Sequence, residues 1–382
     1  MSMKTESSKA ENKYPKTSKA AVLDEYHTRN TIREVTIPDI DANEILVKVL
    51  LAGICGSDVH QREGALSIQT PLPIIQGHEA LGRIIKLGGE RKTDVAGQPL
   101  KENDRIMWSH AYCGKCYFCK VLRKPYMCRN PQLYGYASPE MLCGGFSEYE
   151  CVLQNAEVVR VPDELTDEEA LGVGCAFRTV VNGFEKLQKH GGIATGDCVV
   201  IQGAGPVGLY ATVLAAQSGA SRIIVIGAPA NRLTLAKRWG ATDTIDVDAV
   251  MEPEARLAMV LELTEGRGAQ VAVECAGVPA AFNEGMDLLA KGGIYLVMGQ
   301  TSTNPVEFSP NKLLAKQAVV LGSSSADITH YYRALKFIQR FRGTYPFAEL
   351  ITNTYKLEEI NEALDNMQKG VDIKAAIDNR NR

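Results

Sequence analysis

Between residues 19 and 176, hydrophobic positions come in short bursts interrupted by polar residues and glycine-rich turns, as at 20–23, 44–51 and 83–86. Such bursts predict β-strands. From residue 177 the rhythm changes. Apolar runs at 198–202, 222–226, 270–274, 293–297 and 318–321 read as strands, and 207–218 and 230–239 between them read as helices. Alternation of that kind predicts a parallel sheet covered by helices. Beyond it come a helix over 330–341, a short strand near Ile351 and a last helix over 357–368. The tail is too short for a domain of its own, so it is expected to pack back onto the first region. A chain of 382 residues exceeds one ordinary core. The expected organisation is a polar leader (1–18), a mainly β region (19–176), an α/β region (177–320) and a returning tail (321–382).

Composition narrows the classes. A formal net charge of −3 provides no field to recruit nucleic acid or a membrane surface. No apolar run approaches the roughly 20 residues of a spanning helix. The leader lacks the apolar stretch of a signal peptide, and Glu6 and Glu11 sit where a mitochondrial presequence avoids acids. A cytoplasmic protein is expected. Its ten cysteines then point to metal binding or chemistry and not to a disulfide framework.

Four of those cysteines lie close together, in the run Cys113-Gly-Lys-Cys116-Tyr-Phe-Cys119 continued through eight residues to Cys128. Two successive Cys-x-x-Cys steps sharing one cysteine suit a closed tetrahedral Zn²⁺ site, which crosslinks a loop and does no catalysis. A nucleic-acid zinc ribbon separates its two pairs further.

Three further residues stand apart. Cys55 opens Cys55-Gly-Ser-Asp-Val-His60, His78 lies in Gly77-His78-Glu79, and Cys175 sits in Gly172-Val-Gly-Cys175-Ala-Phe-Arg-Thr179. Singly, a cysteine is often a small packed hydrophobe and a histidine a structural residue. In this order and spacing, together with the cysteine lobe, they resemble the zinc-containing medium-chain alcohol dehydrogenases. That family usually has seven residues, not eight, before the fourth lobe cysteine. The resemblance covers nearly the whole chain from residue 19. It implies an α/β fold, with a doubly wound parallel Rossmann sheet inserted into a mainly β, GroES-like, partly barrel-like catalytic domain. It also implies two zincs per subunit: a structural one on Cys113, Cys116, Cys119 and Cys128, and a catalytic one on Cys55, His78 and Cys175. A Cys₂His set leaves the fourth position open for substrate. By the same resemblance Ser57 takes the alcohol proton, His60 ends the relay, Asp58 fixes the His78 tautomer and Glu79 lies behind the metal.

The segment Gly203-Ala-Gly205-Pro206-Val207-Gly208 follows an apolar strand and opens a helix, the context a dinucleotide fingerprint requires. Its glycines permit the tight turn, backbone approach to the pyrophosphate and close helix–strand packing. About 20 residues on, a ribose-binding acid is expected, but the strand ends in Gly227-Ala-Pro. Without the acid both NAD and NADP remain open, and Arg232 stands nearby as a basic residue. Thr179, Gly299 and Gln300 fall where this family contacts nicotinamide. Trp108, Ser109, His110 and Phe177 are expected to line the substrate pocket, with Arg178 in a structural ion pair or facing an anionic group.

The implied activity is reversible hydride transfer between NAD(P) and a primary or secondary alcohol, with cyclic alcohols and polyols open. One alternative is an aldehyde or ketone reductase, or a dismutase, on the same site. Another is a non-catalytic zinc- and dinucleotide-binding relative, which would lack part of the catalytic set. The partner is a small alcohol or carbonyl compound, with no nucleic acid or membrane, in a homodimer or homotetramer.

Overall fold

The computed structural model describes residues 14–66, 68, 70–299 and 304–381. Its first strand, Thr17–Leu23, starts inside the stretch expected as a leader. The polar start of that strand is held from two sides. Thr17 pairs with Thr36, and the buried Ser18 hydroxyl accepts the Tyr149 N–H. Residues 1–13, the rest of the expected leader, lie outside the described residues.

A seven-stranded sheet is built around Ile45–Gly53, a strand apolar along nearly all its length. It pairs antiparallel with Ala80–Leu87, with Tyr149–Val152 over its first half and with Ala375–Asp378 over its last three residues. Neighbours on both sides bury it, which is why it reads as a continuous hydrophobic run. Register shifts at Leu46/Val47 and Val49/Leu51 curve the pairing with Ala80–Leu87. The C-terminal strand thereby returns beside Gly53, two residues before Cys55.

The second sheet has six parallel strands in the order Asp243–Asp246, Arg222–Gly227, Cys198–Gln202, Ala269–Glu274, Leu289–Val297, Val319–Gly322. Counted along the chain this is 3-2-1-4-5-6, the doubly wound Rossmann order. Five of these strands fall where the apolar runs predict them. Asp243–Asp246 escapes notice because, at the sheet edge, Ile245 is its only fully buried side chain. The helices Pro253–Leu263 and Pro279–Leu288 also lie in stretches without a clear helical pattern, and each begins with proline in its first turn, where a missing N–H costs nothing. Strand order reverses between Cys198–Gln202 and Ala269–Glu274, the place where a doubly wound sheet opens a ligand crevice.

The helix Ala176–Gln188 joins the two halves. Phe177, expected in the substrate wall, instead stacks on Tyr210 at 4.2 Å and is fully buried. Tyr210 in turn meets Trp239 at 5.1 Å, and Phe347 closes the cluster at 5.4 Å from Trp239. Aromatic packing with the helix Pro206–Gln217 outcompetes the cleft for this side chain. Among the described residues no helix is long and apolar enough to cross a membrane.

Candidate active site and metal centres

Two groups of metal-ligand side chains converge, and all ten cysteines are free thiols. In the first, Cys113, Cys116, Cys119 and Cys128 each offer a sulfur within 4.8 Å of the others. Cys116 Sγ is 3.6 Å from Cys119 Sγ and 4.0 Å from Cys128 Sγ. A tetrahedron with Zn–S near 2.3 Å has an edge of about 3.8 Å, so the spacing is that of a metal cage. It is far from a disulfide, whose sulfurs lie about 2 Å apart. The loop arranges its own amides to favour thiolates. The backbone N–H groups of Arg129 and Cys119 draw the Cys116 thiol down to about 6. Burial and the neighbouring thiols push Cys119 up to about 12. The N–H groups of Cys113 and Asn130 both donate to Cys128 Sγ at 3.4 Å.

The second group is Cys55, His78, Glu79 and Cys175, again with one donor atom each within 4.8 Å of the rest. Three separate elements deliver them. Cys55 caps the helix Gly56–Arg62, His78 and Glu79 precede the strand Ala80–Leu87, and Cys175 caps the helix Ala176–Gln188. Asp58, buried in the first turn after Cys55, ties two of them together. Its Oδ2 accepts the Cys55 N–H at 2.7 Å, and its Oδ1 accepts from His78 Nδ1 at 3.2 Å. That bond leaves His78 Nε2 directed at the thiols, the tautomer a metal needs. Burial opposes charge on His78, but the Asp58 carboxylate outweighs it and holds the imidazole well above its ordinary range. The two thiols lie close enough to perturb one another. Donation from Cys55 keeps Cys175 well below the usual thiol range, and Cys55 itself is raised to about 11.

Ser57 Oγ lies 3.5 Å from His78 Nε2, and His60 is exposed one turn later on the same helix. Glu79 is fully buried and meets the Lys374 ammonium at 2.6 Å. Burial pushes the Glu79 carboxyl up while Lys374 pulls it down. Gly53 makes room for the pair, since a Cβ there would come within 2.7 Å of the Glu79 carboxylate. Lys374 was not singled out from the sequence. Its one signal is a lone charge in the otherwise apolar run Ile373-Lys-Ala-Ala-Ile377.

The expected pocket residues divide. Trp108 and Ser109 are buried, and the Ser109 hydroxyl donates to the His110 carbonyl. His110 Nδ1 accepts the Tyr134 N–H at 3.1 Å, so a neutral ring carries its proton on Nε2. Burial, then the Arg178 charge, hold it well below the ordinary histidine range. A cavity beside His78 is lined by Trp108, His110, Tyr134 and Glu150. Arg178 forms no ion pair among the described residues. Its guanidinium donates to the Gly174 carbonyl at 2.7 Å and lies over the Tyr331 ring, 5.1 Å from its centroid.

At the crevice of the parallel sheet, Gly203 has φ +102°, and a side chain at Gly208 would overlap the Gly203 carbonyl. Around an ideal Cβ on Gly205 no atom of the described residues beyond its chain neighbours lies within 4 Å. The backbone here is open to a ligand, and Pro206 starts the helix whose free N–H groups face the same space. Val207 is half-buried in that first turn, and Thr179 is buried in the first turn of the helix after Cys175. Gly299 closes against a neighbouring loop, its Cβ position 2.6 Å from the Cys275 carbonyl carbon. Gln300 lies outside the described residues. At Gly227 a Cβ would approach the Ala204 N to 2.8 Å, so the missing acid reflects close packing of the strand end on the glycine loop. Arg232 donates to the carbonyls of Asp372 at 2.7 Å and Gly370 at 3.4 Å.

Two family descriptions match the chain: an alcohol dehydrogenase GroES-like domain over 41–163 and a zinc-binding dehydrogenase over 206–340. The 5-exo-hydroxycamphor dehydrogenase of Pseudomonas putida is 38% identical over 94% of this chain and 98% of its own length. This chain belongs to the zinc-containing medium-chain alcohol dehydrogenase family. The solved alcohol dehydrogenase of Thermotoga maritima superposes with a TM-score of 0.86 at 34% identity, covering 95% of this chain and 99% of the other. A zinc-binding dehydrogenase of Sinorhizobium meliloti, solved with NADP, superposes with a TM-score of 0.80 at 27% identity, covering 95% and 99%. As a member of the family this chain is an oxidoreductase acting on CH–OH donors, with zinc and a nicotinamide dinucleotide as cofactors and a small alcohol as substrate.

Proposed function

We propose that Cys55, His78 and Cys175 hold a catalytic zinc, with Ser57 and His60 as the route by which the substrate proton leaves. The observation that carries this reading is a donor set whose fourth member, Glu79, is held by Lys374, which leaves one coordination position for substrate. Two thiols and one imidazole converge, the imidazole oriented by Asp58, with a hydroxyl 3.5 Å from its Nε2. Bound there, zinc supplies Lewis acidity that brings an alcohol proton within reach of neutral pH. Ser57 Oγ receives that proton, and the exposed imidazole of His60 passes it to solvent. Asp58 keeps the His78 ring from rotating, and Lys374 keeps Glu79 from facing the site as an uncompensated charge. The Gly203–Gly208 loop, with Pro206 and Val207, holds the pyrophosphate; Thr179 and Gly299 flank the nicotinamide, which supplies the hydride acceptor. Elemental analysis should find close to two zincs per subunit, one of them on Cys113, Cys116, Cys119 and Cys128.

The lobe zinc is expected to hold structure alone. Cys116→Ser should lower the thermal midpoint by several degrees and remove one zinc, while kcat of the remaining folded enzyme stays within about threefold. A collapse of kcat with the fold and the other zinc intact would count against a purely structural lobe.

On substrate, the relative named for hydroxycamphor supports a ring-borne secondary alcohol. A panel of cyclic, linear and polyol alcohols, assayed with each cofactor, tests this directly. Comparable activity across linear polyols would rule the cyclic preference out.

On cofactor, Gly227 leaves no carboxylate to repel a 2′-phosphate, and the Arg232 guanidinium is engaged by two carbonyls. Dual use follows, with kcat/KM for NAD⁺ and NADP⁺ within about tenfold, where an acid at this position would select strongly for NAD⁺. A hundredfold preference either way, read from initial rates, would overturn dual use.

We further infer a catalytic unit made of residues 19–176 and 321–382 enclosing a cofactor unit at 177–320, assembled as a homo-oligomer in the cytoplasm. The four cysteines outside the two metal groups, Cys143, Cys151, Cys198 and Cys275, form no disulfide, which fits a reducing compartment.

A further inference from the structure

Three loops leave the carboxyl ends of three adjacent parallel strands, at Gly203, Cys275–Gly277 and Met298–Gly299, and one carboxylate binds two of them. Glu274 is the last residue of the strand Ala269–Glu274 and is only 1% exposed. Its Oε1 accepts the Gly277 N–H at 2.6 Å, and its Oε2 accepts the Gly299 N–H at 3.0 Å. Its own carbonyl accepts from Met298 N and Gly299 N. No ion pair reaches Glu274 among the described residues. A buried carboxylate without a cation is costly unless donors surround it, so the two amides hold it and it holds them.

The third loop is locked to the same assembly by contact. The Cys275 N–H donates to the Gln202 carbonyl at 2.8 Å, and a Cβ at Gly203 would lie 2.8 Å from Ala276 N. Gly277 has φ +75°, and a Cβ on it would come within 2.8 Å of the Gly299 carbonyl oxygen. Close-packed glycines leave the backbones no side chains with which to fix their own spacing. The Glu274 carboxylate supplies the missing tie.

We propose that Glu274 is a positioning residue for the cofactor, setting the spacing of the Gly277 and Gly299 loops against the phosphate loop without touching the dinucleotide itself. The proposal rests on the reading of Gly203–Gly208 and Gly299 as the dinucleotide site. Glutamine is nearly isosteric, but its amide would set an N–H donor against a backbone N–H, so one loop must shift.

The test is the affinity of the purified zinc-loaded enzyme for reduced cofactor, followed by nicotinamide fluorescence, in E274Q and G205V. E274Q should bind at least tenfold more weakly and raise the cofactor KM in parallel. Its alcohol KM should stay within about twofold and its zinc content as in the parent, with the thermal midpoint lowered by a few degrees at most. Affinity within twofold of the parent overturns the proposal. So does a loss of affinity that appears only where the thermal midpoint has fallen to the assay temperature, which would make Glu274 a residue of the fold alone. Should E274Q fail to accumulate folded, E274D keeps the charge but withdraws it by one methylene, and is judged by the same criteria. G205V separates the two readings, since a Cβ there meets none of the described atoms outside its chain neighbours within 4 Å. If G205V binds cofactor normally, the dinucleotide site itself is misplaced; if it binds weakly and E274Q does not, only Glu274 is.

Discussion

Replacing Cys175 with serine should abolish alcohol oxidation while leaving a folded protein with about one zinc per subunit. The expectation follows from how the donor set is built. Cys175 is one of only two thiols in the group, and it stands with Cys55 and His78 where their donor atoms converge. A serine hydroxyl at the same place is a far weaker zinc ligand, and the two remaining donors cannot close a tetrahedral site. Metal Lewis acidity contributes several kcal/mol to transition-state stabilisation, and each 1.36 kcal/mol is tenfold in rate. The fall in kcat should therefore be at least about 10³-fold. The lobe is a separate group of four cysteines, so its zinc should remain, and elemental analysis distinguishes the two sites. Activity within tenfold of the parent at one zinc per subunit would mean that the catalytic metal lies elsewhere.

How much of this was legible in the sequence depends on how local each feature is. The lobe cysteines are readable because all four ligands fall in one loop, and the spacing alone states the geometry. Cys55, His78 and Cys175 are dispersed, but each sits in a short signature, and the fold brings them together as the family resemblance implies. The glycine loop is readable because strand, turn and helix follow one another directly.

What escaped depends on contacts made across the chain. Lys374 meets Glu79 only because the C-terminal strand pairs beside Gly53, and nothing near either residue announces the other. Glu274 looks like the polar end of an apolar strand until its two amide partners appear on separate loops. Phe177 follows the third candidate ligand by two positions and so reads as a pocket wall. Helical geometry turns it away from the cleft onto Tyr210. Arg178 reads as half of an ion pair, yet carbonyl oxygens and the Tyr331 ring satisfy it.

Lys374→Met should be the most damaging substitution outside the metal ligands. Glu79 and Lys374 are 0% and 2% exposed, so neither finds solvent when its partner is removed. Deleting one member of a buried pair costs about 3–5 kcal/mol, because the other is left as an unpaired charge or must change protonation. Glu79 is poised to do the latter. Burial already pushes its carboxyl up, and Lys374 is the main force pulling it down, so in the zinc-free protein without the lysine it should take up a proton. The stability loss should then ease at acid pH, where that proton is free to bind, and grow as pH rises. Thermal midpoints of the zinc-free proteins measured across pH would show this slope in Lys374→Met and a much shallower one in the parent. The double variant Glu79→Gln with Lys374→Met should recover much of the loss, since no buried charge then remains unpaired. Equal destabilisation of the single and double variants would show that the lysine stem, and not its charge, carries the effect.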